Sequence, residues 1–547
     1  MKQSKRILSI ILCAALLAGA AALPVSAADP ANPADYSPAM RVLYDIGDMA
    51  LRGLGVVLGS LLPADIPRHY EQGPDFYPGM ERFISEPEGE KVWSLGYGSA
   101  SMIPEGWYDP ETGAYIGVKE PLNWDIRGVS FIGRATPLPL VDDLRVRAVA
   151  LNDGSGRGSV AIAAIDSVGL TSYDVRAIRR ELRDFAQENN LVSINISALH
   201  QHAAIDTLGL DMPILRSVLL NPIISLLSLL GIRRFPLING KHPVFMDKVY
   251  KATAQAIRDA VADMKEGKLY YGAADAEKYI REKREPYVFD PDIHRLRFHP
   301  DDGSKETWLV NFSVHCTFMD TSEGYSGDYP YYMEQTVNAA GANFMMVQGA
   351  EMAISYDSAP AWREGIDRVT HMAEYGHALG SLLIGIGAGD REVAPILNIR
   401  HKEFRIPVDN PLHLVMIRIG MIQSTTVRSH AVGPWFDIVT ETAYMELGKD
   451  LAVAFGPGEV EACMLLGGSM PASKAWSGKE YTFTPMKDMV GGRKLLMFGL
   501  MNDYAGYFVL PNDIANIVMF ENEEINLPGE KAFELLLQAF GQAVEGQ

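Results

Sequence analysis

From Trp93 onward, short and almost purely apolar runs alternate with longer stretches of helical apolar spacing, and this alternation limits the fold more than any other feature of the sequence. The runs Ala148–Leu151, Val160–Ile165, Leu191–Ile196, Trp308–Val314 and Phe344–Val347 have the length and composition of strands. Between them, Tyr173–Gln187, Phe245–Met264 and Tyr331–Ala340 space their apolar residues as helices do. The pattern predicts an α/β (mixed α+β) protein whose mixed sheets are flanked by helices, and it excludes an all-β sandwich. No internal repeat or linker interrupts the chain after about residue 90, so residues 91–547 are expected to form one large domain.

Ahead of that domain the chain changes character twice. Lys2, Lys5 and Arg6 precede an apolar run from Ile7 to Leu23, and Val25-Ser26-Ala27 supplies small residues for cleavage. Residues 1–27 therefore read as a secretory signal peptide, which places the protein outside the cytoplasm as a secreted or extracytoplasmic protein. Cys13 lies inside the apolar run, not just after it, which disfavours a lipoprotein anchor. Residues 29–36 form a Pro/Ala-rich leader. Met40–Leu62 has helical spacing and is closed by Pro63 and Pro67, which makes residues 28–90 an N-terminal helical extension.

Composition narrows the partners. The formal charge is −19, from 49 basic and 68 acidic residues, which argues against nucleic acid. Of the three cysteines, Cys316 and Cys463 lie beyond the leader, and the sequence leaves open whether they pair. The apolar segment Ile214–Ile232, inside an insertion of about residues 209–240, is a poor membrane span because Arg216 and Asn221-Pro222 interrupt it. Two readings stand: a buried helical hairpin, or an exposed apolar lid that meets a membrane surface. The oligomeric state is not legible.

Chemistry concentrates on histidines. His200-Gln201-His202 follows the strand Leu191–Ile196, and on an extended strand end residues i and i+2 face one side, so both rings are expected in one cleft. His315 follows the run Val310–Val314. One added carboxylate would give the two-histidine, one-carboxylate set of a catalytic zinc site. Spacing does not single out that carboxylate among 68 acidic residues.

The order of short motifs resembles the neutral/alkaline, non-lysosomal ceramidase family from about Trp93 to the C-terminus. The resemblance is carried by Leu95–Ala100 and by Arg145 to Ala148. It continues in Ile162–Gly169 with Asp166, His200-Gln201-His202, and Asn311–Tyr332 with His315 and Ser326–Pro330. Gly456-Pro457-Gly458-Glu459 and Gly499–Tyr507 complete it. It implies one catalytic Zn²⁺ held by His200, His315, Glu459 and Tyr507, with Tyr504 as the neighbouring alternative. It also implies His202 beside the metal as a proton donor, Arg284 as a substrate-facing arginine, and Ser355 as nucleophile or transition-state stabiliser. The implied reaction cleaves the amide of an N-acylated lipid such as ceramide to fatty acid and amine. Other readings keep the fold: a zinc hydrolase acting on another amide or ester, or a non-catalytic lipid-binding relative. This sequence departs from the family pattern at Met352–Tyr356, which lacks Gly-Asp before Ser355, at Ala203-Ala204 after the histidine turn, and in the apolar insertion. It stops soon after Tyr507, so no C-terminal immunoglobulin-like domain is expected.

Overall fold

Every residue of the strand Ser159–Ile165 is buried, because both faces of this strand are covered, and an unbroken apolar run is what such a strand requires. The computed structural model of the chain describes residues 38–61, 66–117, 138–210, 214–232, 237–319, 324–357, 363–430, 433–515 and 524–546. The signal peptide read at residues 1–27 and the Pro/Ala-rich leader lie outside the described residues.

The larger sheet contains β1 (Trp93–Ser101), β2 (Arg145–Asn152), β3 (Ser159–Ile165), β4 (Leu191–Ala198), β5 (Lys265–Asp275), β6 (Asp292–Pro300), β7 (Glu306–Phe312), β8 (Ala342–Gln348) and β9 (Arg391–Val393). Its order is β4-β3-β2-β1-β5-β6-β7-β8, with β9 added beside β5. The middle is antiparallel and each end is a parallel pair, β3 with β4 and β7 with β8. Parallel neighbours need a crossover. The first pair is bridged by helices Ser172–Glu181 and Arg183–Glu188, the second by helix Asp328–Ala339. The helix expected over Tyr173–Gln187 is thus two short helices that meet at Leu182.

A smaller sheet of β10 (Leu397–Pro407), β11 (Thr426–Arg428), β12 (Phe436–Leu447), β13 (Leu451–Phe455) and β14 (Lys494–Phe498) has the order β10-β12-β13-β14, with β11 on β12. The pair β13 and β14 is also parallel. Alternation along the strands assigns the two faces of the larger sheet. Val146, Ala148, Ala150, Ala161, Ala163 and Ile165 share a core with helix Pro243–Ala262. Leu95, Val149, Leu151, Val160 and Ile162 share another with residues of the smaller sheet such as Met445, Val453 and Phe455. The glycines of β1 let the helix approach: a Cβ at Gly96 would stand 2.1 Å from the Ala260 carbonyl oxygen, and one at Gly98 2.1 Å from that of Ala256.

The apolar segment at 214–232 corrects the hairpin reading. It is one helix, Ile214–Leu229, that runs through Pro222. Asn221 is fully buried, and its side chain both donates to the Ile238 carbonyl and accepts from the Ile238 amide, each at 2.7 Å. Leu220, Ile223 and Leu226 stand exposed. Among the described residues no helix is long and apolar enough to cross a membrane. Helix Pro38–Leu61 packs on the following chain, where a Cβ at Gly55 would meet Pro411 and Arg52 pairs with Glu530 at 2.8 Å. Cys316 and Cys463 are both buried free thiols, which closes the question of their pairing.

Candidate metal centre

The chain's chemistry sits just past the C-terminal ends of parallel strands, the place where α/β sheets commonly bind ligands. His200 follows β4, His315 follows β7, Ser355 follows β8, Glu459 follows β13 and Tyr504 follows β14. Although β4 and β8 are opposite ends of the larger sheet, they converge here. The buried Gln348 side chain, at the end of β8, donates to the carbonyls of Leu199 and Val314 at 2.9 Å each. The histidine turn is joined to the second histidine block by a hydrogen bond that the His202 amide donates to the Cys316 carbonyl, 3.0 Å.

His200 is not on an extended strand end. Its φ is +60°, in the left-handed region that side chains with a Cβ rarely enter. The convergence expected from strand pleating arises instead from this turn, which brings His202 Nε2 to 3.2 Å from His200 Nε2. The ligand-capable atoms of His200, His202 and His315 all lie within 4.8 Å of one another.

Hydrogen bonds determine the tautomers. His200 Nδ1 lies 2.7 Å from the Val168 carbonyl oxygen, and His315 Nδ1 2.8 Å from that of Ile354. A carbonyl only accepts, so in both rings Nδ1 carries the hydrogen, and the neutral imidazole has its lone pair on Nε2. Those lone pairs converge on one carboxylate. His200 Nε2 is 3.3 Å from Glu459 Oε1, and His315 Nε2 is 3.2 Å from Glu459 Oε2. Acceptors facing acceptors at this range, 1–2% exposed at His200 and Glu459, is a geometry that a cation between them stabilises. The donor set, imidazole nitrogen and carboxylate oxygen, suits zinc.

Electrostatics agree. Burial raises the Glu459 carboxyl, and the hydrogen bond it accepts from the Tyr504 hydroxyl works against that and favours the carboxylate. Loss of water contact keeps His202 well below the usual imidazole range, so it is neutral. Glu351 is the opposite case. Burial and the charge of Glu459 push it well above the usual carboxyl range, and neither of its oxygens has a hydrogen-bond partner among the described residues.

Of the two tyrosines, Tyr504 donates its hydroxyl to Glu459 Oε1 at 2.8 Å and lies parallel to the His200 ring, with centroids 6.0 Å apart. Tyr507 is the register partner of Glu459 in a short parallel ladder, and its ring packs with Met352, Val509 and Leu527. Ser355 lies on the short strand Ile354–Tyr356, one residue from the carbonyl that orients His315. Arg284 follows the strand Ile280–Glu282, which pairs with the Ser355 strand, by two residues. Its amide bonds Glu282 Oε1 at 3.1 Å, and its charge acts on Glu282 and Glu461, two carboxyls that burial pushes up to about 7. The arginine opposite Ser355 in register is Arg281.

A second cluster, Asp290, Asp292 and His294, also has its ligand atoms close together. There the positive charge is already present: Lys494 Nζ lies 3.0 Å and His294 Nε2 3.2 Å from Asp290 Oδ2. Burial would raise Asp290, but these partners hold it well below the usual range.

No protein-family model matches the sequence, and no curated protein does. The architecture is that of the neutral ceramidases. The chain is similar to the crystal structure of neutral ceramidase from Pseudomonas aeruginosa, with TM-score 0.58 and 14% identity over 83% of this chain and 74% of the other. It is equally similar to a ceramidase complexed with C2, with TM-score 0.58 and 13% identity over 83% and 75% of the two chains. At such identity the likeness carries the fold, and the reaction must be argued from the residues above.

The positioning groups were not visible in the sequence. Gln348, the carbonyls of Val168 and Ile354, and Asn502, whose Oδ1 accepts from the Ile196 amide at 2.9 Å, act across gaps of more than thirty residues. No local pattern marks them.

Proposed function

We propose that the protein is a secreted, zinc-dependent amidohydrolase that cleaves the amide bond of an N-acylated lipid, releasing fatty acid and amine. The observation that carries this reading is the convergence of the His200 and His315 Nε2 lone pairs on the Glu459 carboxylate. The basic-apolar-small pattern of residues 1–27 supports export.

His200, His315, Glu459 and a tyrosine hydroxyl would hold the metal; Tyr504, whose hydroxyl meets Glu459 Oε1, and Tyr507 are the two candidates for that phenol. Zinc, when bound, supplies Lewis acidity towards an amide carbonyl and lowers the pKa of a water towards about 7. The protein's own groups do the rest. The Val168 and Ile354 carbonyls hold both imidazoles in the tautomer that presents Nε2. Glu459 stays ionised and supplies the balancing negative charge. His202 borders the same position, where an Nε2 hydrogen can reach a leaving amine. The Ser355 hydroxyl makes no hydrogen bond among the described residues and is available to a carbonyl oxygen. The exposed apolar stripe of Leu220, Ile223 and Leu226 suits contact with a membrane surface that presents a lipid substrate.

The test is hydrolysis of a fluorescent N-acyl-sphingosine by purified protein, before and after removal of zinc with a chelator. The reading predicts activity that disappears with the metal and returns on zinc addition. Hydrolysis that survives complete zinc removal excludes it.

A further inference from the structure

A cavity of ≈ 430 Å³ opens beside the candidate metal centre. Its position follows from one cross-strand pair. The strands Ile354–Tyr356 and Ile280–Glu282 run antiparallel, with Ser355 directly opposite Arg281. Opposed residues project to the same face, and both side chains line the cavity. The preceding residue, Ile354, gives its carbonyl to both the amide and Nδ1 of His315, at 3.1 and 2.8 Å. The cavity therefore begins one residue along the chain from a group that orients the proposed metal site.

The lining is unlike a lipid tunnel. Among the described residues that line it, Arg281 and Arg368 bring two guanidiniums, His371 adds an imidazole, and Asp357 is the one carboxylate. Two guanidiniums outnumber one carboxylate there, so the described lining is cationic. Arg281 makes no hydrogen bond or ion pair with any described residue, in a chain whose formal charge is −19 and whose arginines are mostly paired. One wall is aromatic and rigid: Phe318 stacks on Tyr356 with centroids 3.6 Å apart, and its edge meets His371 at 5.2 Å. A guanidinium fork with a serine hydroxyl beside it is the usual means of holding an oxyanion.

We infer that this cavity binds an oxyanion, a carboxylate or a phosphate, carried on the amine side of the substrate, so that the preferred substrates are anionic N-acyl amides. An acyl chain brings no charge to the site, which leaves the amine portion as its source. This inference rests on the proposed hydrolase reading for the position of the scissile bond, but the cavity's preference can be measured without turnover.

The experiment uses two matched pairs on the full chain: N-dodecanoylglycine against N-dodecanoylglycinamide, and N-dodecanoylsphingosine 1-phosphate against N-dodecanoylsphingosine. Rates are read as kcat and KM, and binding is read by calorimetry, for the native protein, Arg281→Gln and Arg281→Lys. The native protein is expected to favour the anionic member by about tenfold or more. Arg281→Gln should abolish that ratio mainly through KM, and Arg281→Lys should restore part of it. Whichever anionic probe is preferred identifies carboxylate or phosphate. Equal handling of both members, or a loss that falls equally on both in Arg281→Gln, overturns the inference. Anion-selective binding that needs Arg281, with no turnover of any probe, would sink the hydrolase reading and leave the cavity assignment standing. Absence of anion-selective binding overturns the assignment whatever the activity.

Discussion

The Tyr504 hydroxyl donates to Oε1 of Glu459 across 2.8 Å, and the same oxygen lies 3.3 Å from His200 Nε2. A phenol and an imidazole thus share one carboxylate oxygen at the convergence of three chain segments. Tyr507, three residues on, packs its ring with Met352, Val509 and Leu527.

The two tyrosines can be told apart by mutation. Removing a group that ligates a metal or orders its ligand typically weakens affinity by about 10–100-fold. Tyr504→Phe should lower zinc affinity, measured by competition with a chromogenic chelator, by that factor. Tyr507→Phe should stay within about threefold of the native protein. The reverse ranking would assign the phenol to Tyr507.

How much of this was legible in the sequence depends on how local each signal is. The strands around Ala148–Leu151 and Val160–Ile165 and the helix at 243–262 follow from apolar periodicity, because burial on one face or on both leaves a direct imprint on nearby residues. His200 and His315 were visible as histidines at strand ends. Glu459 was not distinguishable without the motif resemblance, since a loop carboxylate carries no periodicity. Strand alternation implied that only one of Tyr504 and Tyr507 would face the metal, but not which. Arg281 carried no signal in the sequence, because the register that sets it opposite Ser355 joins strands more than seventy residues apart. Of the two readings of 214–232, the hairpin gives way to one helix, Ile214–Leu229, that continues through Pro222, and its Asn221 ties it to the Ile238 backbone.

The glycines of β1 offer a test of packing. A methyl group at residue 98 would sit 2.1 Å from the Ala256 carbonyl oxygen, in helix backbone that cannot move independently. Gly98→Ala should therefore destabilise the fold by roughly 1–3 kcal/mol or more in urea unfolding. A substitution at Gly156, where a Cβ meets nothing within 4 Å, is a poorer probe because its φ of +76° adds strain. An unchanged midpoint for Gly98→Ala would mean that the helix is not seated on β1 as described.

Asp142 gives a pH dependence with a defined direction. An unfolded aspartate titrates near 3.9. In the folded protein burial pushes Asp142 up to about 7, against the hydrogen bonds from Ser326 and Gly327 and with the added charges of Asp166 and Asp328. A raised acid favours the folded state while protonated. Its contribution is fully present below about pH 4 and is lost as pH rises towards 7. Asp142→Asn retains an acceptor for the Gly327 amide and has no proton to lose. Between pH 4 and pH 8 the native protein should therefore lose a few kcal/mol relative to the variant. Parallel stability profiles for the two proteins would contradict this.

The central claim is that His200, His315 and Glu459 hold one zinc ion, and X-ray absorption on zinc-loaded protein tests it most directly. The account predicts one tightly bound zinc per chain, a shell of nitrogen and oxygen at about 2.0–2.1 Å, and loss of that signal in both His315→Ala and Glu459→Gln variants that remain folded. Native protein that takes up no zinc, or variants that retain the same zinc spectrum, would contradict it.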